Sequence, residues 1–253
     1  MKTTLFAAAL VVALSLSAAA AQKKPPMSQH LAGSSAAGAP PIMVPPPLCN
    51  PCLFYGGDLN PSDPNAAGLS SENTLLVTGS ATYGNFNVPS SQSVTVTGIL
   101  FNVQADANFD PETASYDIRQ GMTEGSGGDE IASGSGNIAV AATGRNFLGL
   151  NEYSVVVPLS SAVVLGAGSY WFSITPNCTN GGFDGSCSEG RMFVSNVTGR
   201  TNSIHGAGEG NGQMFLNSAY FGVTFANWCD SEFGLNARQC NSLSFGVLGY
   251  VNP

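Results

Sequence analysis

Asp106, Asn108, Asp110 and Glu112 place four oxygen-bearing side chains at alternate positions of one short stretch, Asp-Ala-Asn-Phe-Asp-Pro-Glu. Oxygen ligands at that spacing converge on a calcium ion when the chain turns sharply. The glycine that such loops place at the turn is replaced by Pro111, and Asp117 downstream is no bidentate glutamate. The same stretch therefore also reads as a solvated turn between two strands, opened by Asp110-Pro111. Glu124 with Asp129 and Glu130, beside a Gly-rich turn, is a second and poorer acidic group. A structural calcium ion is the cofactor these residues suggest.

Tyr170, Trp171 and Phe172 run consecutively in a strand, so Trp171 faces away from its neighbours. An exposed Trp171 or Trp228 would offer a flat platform to a sugar ring. The competing reading is core packing, which so apolar a strand favours, and Trp228 beside Cys229 suits packing on a disulfide. Catalytic signatures are poor. There is no Gly-x-Ser-x-Gly elbow, and after the Pro-rich stretch His205 is the only histidine, so a Ser/His/Asp triad has no local support. No Cys/His cluster has zinc spacing. A glycosidase needs only two carboxylates, and Asp117, Glu152 and Asp184 are available, but nothing singles them out. The expectation is a non-catalytic module.

Six cysteines in an exported chain point to disulfides, although six allow 15 pairings. Spacing suggests local staples: Cys49–Cys52, Cys178–Cys187 and Cys229–Cys240. The Cys49-Asn-Pro-Cys52 motif also has the spacing of a thiol–disulfide exchange site. Such motifs open a helix, and none is readable here.

The elements that must position these residues are strands. Alternation and β-branched content mark them near 74–78, 94–103, 115–120, 138–142, 152–159, 169–175, 191–197, 213–217, 220–225 and 242–250. In Val94–Val103 the apolar residues change face at Gly98, which predicts a bulge or a sheet switch. In 152–159, Tyr153, Val155 and Val157 share a face. No segment shows helical periodicity. Short connections between so many strands imply an antiparallel sandwich in a single domain.

That domain is expected over residues 55–253. Before it, Lys2, the apolar run Leu5–Leu16 and the small residues up to Ala21 have the grammar of a secretory signal peptide, so 1–21 is read as one. The Pro/Ala-rich stretch 22–54 is read as a disordered linker. Localisation is therefore secreted, extracellular or cell-surface associated, with no membrane span in the mature chain. Past residue 57, five arginines face all 16 carboxylates, a balance of −11. That sign repels phosphate backbones and argues against nucleic acid, and equally against an anionic membrane surface. It suits cations or neutral partners such as polysaccharide. The molecule is expected as a monomer.

Asn87-Val88-Pro89 leading into Val94-Thr95-Val96-Thr97-Gly98-Ile99 resembles the opening of jelly-roll modules on secreted bacterial surface proteins. Ser244-Phe245-Gly246-Val247-Leu248-Gly249 resembles their closing strand. Between them Tyr116-Asp117-Ile118-Arg119, Thr143-Gly144-Arg145, Glu152-Tyr153 and Tyr170-Trp171-Phe172 fall in the expected order. The likeness spans roughly residues 55–250. It implies a jelly-roll-like β-sandwich and a role in the cell envelope or extracellular matrix. No catalytic residue carries over. Modules of this type are often tethered at the C-terminus, and this chain ends at Pro253 with no apolar anchor, so tethering by that route is not expected.

Overall fold

The computed structural model describes residues 24–30, 47–62, 66–106, 109–178, 190–197, 205–206, 213–228 and 242–253. In chain order the strands are Ser28–His30 (β1), Cys52–Tyr55 (β2), Ala67–Ser70 (β3), Ser80–Val88 (β4), Val94–Ala105 (β5), Thr113–Gln120 (β6), Asp129–Asn137 (β7), Ala139–Phe147 (β8), Leu150–Leu165 (β9), Gly168–Asn177 (β10), Met192–Val197 (β11), His205–Gly206 (β12), Met214–Ser218 (β13), Val223–Asn227 (β14), Ser242–Leu243 (β15) and Phe245–Val251 (β16). No helix occurs among the described residues, and none is therefore long and apolar enough to cross a membrane.

The strands form two antiparallel sheets. The larger, ten-stranded sheet runs β1-β3-β11-β5-β16-β2-β12, with β9 beside β5, β8 beside β9 and β15 beside β11. It curls on itself. The smaller sheet runs β14-β13-β4-β10-β6-β7. The all-β sandwich expected from alternation is thus what the chain builds.

The core lies between the sheets. Phe54, Phe86, Phe172, Phe101 and Phe245 interlock there, with ring centroids 5.3 Å apart for Phe54–Phe86, 5.8 Å for Phe86–Phe172 and 5.7 Å for Phe101–Phe245. Burying each such ring contributes about 1.5–3 kcal/mol. Strand β6 shows the alternation plainly. Ala114, Tyr116 and Ile118 point into the core, leaving Ser115, Asp117 and Arg119 on the outer face. Strand β5 changes parity at Gly98, where its pairing with β9 slips between Val96 and Gly98. The bulge expected there is present.

The stretch 22–54 is not only linker. Strand β1 pairs with β3, and β2 sits inside the larger sheet beside β16. Distant residues hold the arm: the Arg191 side chain donates from Nη2 to Pro26 O at 2.7 Å, and the backbone N of Ser70 to Met27 O at 2.9 Å. Leu53 and Phe54 are buried between the sheets. The predicted strand at 74–78 is a bend instead. Thr74 caps it locally, its Oγ1 accepting from Val77 N at 2.9 Å, a side-chain bond that competes with ladder formation. At 219–222 a turn precedes β14, closed by Gly222 N donating to Ala219 O.

Candidate functional site

The outer face of the smaller sheet collects the polar and aromatic residues that alternation turns away from the core. In register across β4, β10 and β6, Asn85 pairs with Trp171 and Trp171 with Arg119, while Ser173 pairs with Asp117. Tyr83 and Phe215 pair across β4 and β13 on the same face. Tyr83, Met122, Trp171 and Phe215 form an apolar cluster of their own, with Phe225 packed against it.

Asp117 is the electrostatic centre. Its Oδ2 accepts from the Tyr83 hydroxyl at 2.8 Å and from Arg119 Nε at 2.6 Å. Arg119 reaches on to Glu130 at 3.4 Å. Burial pushes the Tyr83 phenol well above its usual range, and the Asp117 charge beside it adds to the rise, so Tyr83 stays protonated and donates to Asp117.

Three polar atoms here have no partner although they are buried: Asp117 Oδ1, Ser173 Oγ and Trp171 Nε1. They belong to two adjacent strands and to one face. Among the described residues, the other buried side-chain atoms without a partner are amide oxygens of Gln29, Gln92 and Gln104, which sit singly on β1, on the β4–β5 turn and on β5.

A contrasting polar layer lies on the outer face of the larger sheet. Asn102 Nδ2 donates to Tyr55 Oη and Ser244 Oγ, both at 2.7 Å, while its Oδ1 accepts from Ser154 at 2.6 Å. Tyr55 donates to Asp58, and Arg145 bridges Asp58, at 3.0 Å, and Glu152. Glu152 also accepts from Ser195 and Thr143. Glu72, fully buried, is gripped by Arg191, Ser70 and Met192 N. Burial raises the Asp58 and Glu72 carboxyls, with the hydrogen bonds of Tyr55 and the guanidiniums pulling partly back. Every member of this layer except the Gln104 amide oxygen is satisfied, which marks it as scaffold.

Both tryptophans are buried, as the core-packing reading has it, and neither offers an exposed platform. Trp171 is 5% exposed and Trp228 3%, the first in the aromatic cluster and the second in the main core. The indole of Trp171 instead presents its Nε1. In the acidic loop, Asp110 and Glu112 line a cavity of about 400 Å³ with Asn137 and Ile138. Asn108 lies outside the described residues, and Asp106 and Asp110 each engage a neighbour. No group of three or more His, Cys, Asp or Glu placed to hold a metal occurs among the described residues. In the second acidic group Glu124 accepts from Asn227 N and Glu130 meets Arg119, so the two do not converge. Of the candidate carboxylates, Glu152 and Asp117 are both paired with arginine. Asp184 and the His205 side chain lie outside the described residues.

The Cys49–Cys52 disulfide is formed. Cys178 is also disulfide-bonded, while Cys187, Cys229 and Cys240 lie outside the described residues. Sequence reasoning missed Ser173, Tyr83, Asn85 and Arg119. The available signal was parity: Trp171 and Ser173 share a face, as do Asp117 and Arg119, but which strands pair is set by topology. No protein family, curated protein or solved structure matches this chain.

Proposed function

We propose that the chain is a secreted, non-catalytic β-sandwich module that binds a neutral glycan on the outer face of its smaller sheet. The observation that carries this reading is the set of three buried, unpartnered atoms on Asp117, Ser173 and Trp171. A carboxylate oxygen accepts, an indole N–H donates, and a serine hydroxyl does both. A hydroxyl-bearing ligand answers all three, since each hydroxyl donates and accepts. The surplus of carboxylates disfavours anionic ligands and leaves sugars acceptable. The arginine pairing of Asp117 and Glu152 supports a non-catalytic role, because neither is poised as a free acid or base. Export through residues 1–21 and kinship with jelly-roll surface modules belong to the same proposal.

A structural role in an envelope or matrix is the second reading. It is favoured by the arm 24–30, which docks the Pro-rich stretch onto the edge of the larger sheet.

Retention of the full, oxidised chain on insoluble cellulose, chitin and mannan, with calcium and with chelator, tests the proposal. Retention that disappears in Asp117→Ala supports the glycan site. Calcium-dependent retention would bring in the 106–112 loop. Self-association with no retention favours the structural role.

A further inference from the structure

Strand β14 and the β6–β7 hairpin belong to opposite ends of the smaller sheet, yet they touch. Four strand spacings, roughly 19 Å, separate β6 from β14 along the sheet. The hairpin tip, residues 121–128, closes that distance. Gly125 N donates to Phe225 O at 3.1 Å, and Asn227 N donates to the Glu124 carboxylate. Gly127 lies so close that a Cβ there would stand 2.5 Å from the Phe225 ring. Met122, from the tip, packs with Trp171, Tyr83 and Phe215. The tip therefore covers the aromatic cluster on the face that carries the unpartnered atoms.

Phe225 is the contact point, and its backbone is unusual. Its φ of 40° lies in the left-handed region, which a bulky side chain rarely adopts. Its ring rests on the two donors to Asp117, 5.9 Å from the Tyr83 ring and 5.3 Å from the Arg119 guanidinium. Strain of this kind persists only where surroundings enforce it, and it concentrates at moving parts. The tip itself is braced by reciprocal backbone bonds between Thr123 and Ser126. Its flanking Gly121 and Gly128 have positive φ, 72° and 60°, where glycine lets the chain turn.

We propose that residues 121–128 are a strap that opens as a unit to admit ligand to the Asp117, Ser173 and Trp171 face, with Phe225 as its latch. This rests on the reading of that face as a ligand site. It explains how atoms buried without a partner become reachable: the cover is held at β14 by two hydrogen bonds and by packing against the ring of Phe225, whose backbone is strained.

The test uses the full chain carrying Trp228→Phe, which leaves Trp171 as the sole indole. Acrylamide quenching is compared in that background and with Phe225→Gly or Glu124→Gln added, the second variant sparing the aromatic cluster. Local opening is expected to raise the quenching slope about two-fold or more in both variants without ligand, at unchanged circular dichroism. Association with soluble galactomannan or xyloglucan is expected to quicken. Unchanged slopes in both variants overturn the strap, even if polysaccharide is still bound. Raised slopes with no polysaccharide bound by any form support the strap and remove the glycan reading.

Discussion

Ser173 and Asp117 stand directly opposite each other across β10 and β6, and each keeps a buried oxygen without a hydrogen-bond partner. An unsatisfied buried group costs about 1–3 kcal/mol. On the larger sheet Asn102, Ser154, Ser195 and Ser244 are just as buried and all are bonded. The same chain therefore satisfies one polar layer apart from the Gln104 amide oxygen and leaves three atoms unpartnered together on the other sheet, where Trp171 adds the third. Costly polar groups retained on one face are what the proposed glycan site would account for.

The scaffold layer depends on Arg145. Its guanidinium faces Asp58 and the fully buried Glu152 side chain. Arg145→Met leaves two buried carboxylates uncompensated and is expected to cost about 3–5 kcal/mol in urea unfolding. Adding Asp58→Asn and Glu152→Gln is expected to recover most of the loss, because no buried charge then remains.

Asp58 also sets a pH dependence. Burial raises its folded-state carboxyl, with Tyr55 and Arg145 opposing. The folded state then holds its proton more tightly than the unfolded chain, whose value is about 3.9. The associated stability is fully present below that value and is lost as pH rises through the raised folded value. Melting curves taken upward from about pH 4 are expected to show a smaller decline in Asp58→Asn than in the native chain. Parallel curves would assign the slope to other groups.

The strap makes two neighbouring glycines unequal. Gly128, at φ 60°, has Gln120 O only 2.1 Å from where a Cβ would lie, whereas Gly121, at φ 72°, has nothing within 4 Å. Gly121→Ala carries the left-handed penalty alone, about 1–2 kcal/mol. Gly128→Ala adds a backbone overlap and is expected to cost clearly more, upwards of ~3 kcal/mol. Chemical denaturation of the two variants checks the order.

Much of the architecture is legible in local pattern. The parity change in β5 announces the bulge at Gly98, and β6 separates Tyr116 and Ile118 from Asp117 and Arg119 residue by residue. Strands β4 and β7 are not legible, for opposite reasons. Strand β4 is buried on both faces, with Gly84 pressed against the Phe245 ring, so alternation is erased. Strand β7 is an edge of small residues, Ala-Ser-Gly-Ser-Gly, with little apolar signal. The arm 24–30 is fixed by Arg191, far along the chain, and has no local marker. Of the site, Asp117 and Trp171 stand out separately in the sequence. Their union with Ser173 depends on the β6–β10 register, which is a product of topology.

The measurement that bears most directly on the glycan site is Ser173→Ala in the full chain, read twice. One reading is melting without ligand, the other mobility on native gels cast with dextran, xyloglucan or galactomannan. Deleting an uncompensated hydroxyl is expected to stabilise the free protein by about 1 kcal/mol, or roughly 2–4 °C in Tm. Retardation by whichever polysaccharide slows the native chain is expected to be lost. If Ser173→Ala is slowed as strongly as the native chain, or if no polysaccharide slows the native chain at all, this face is not a glycan site.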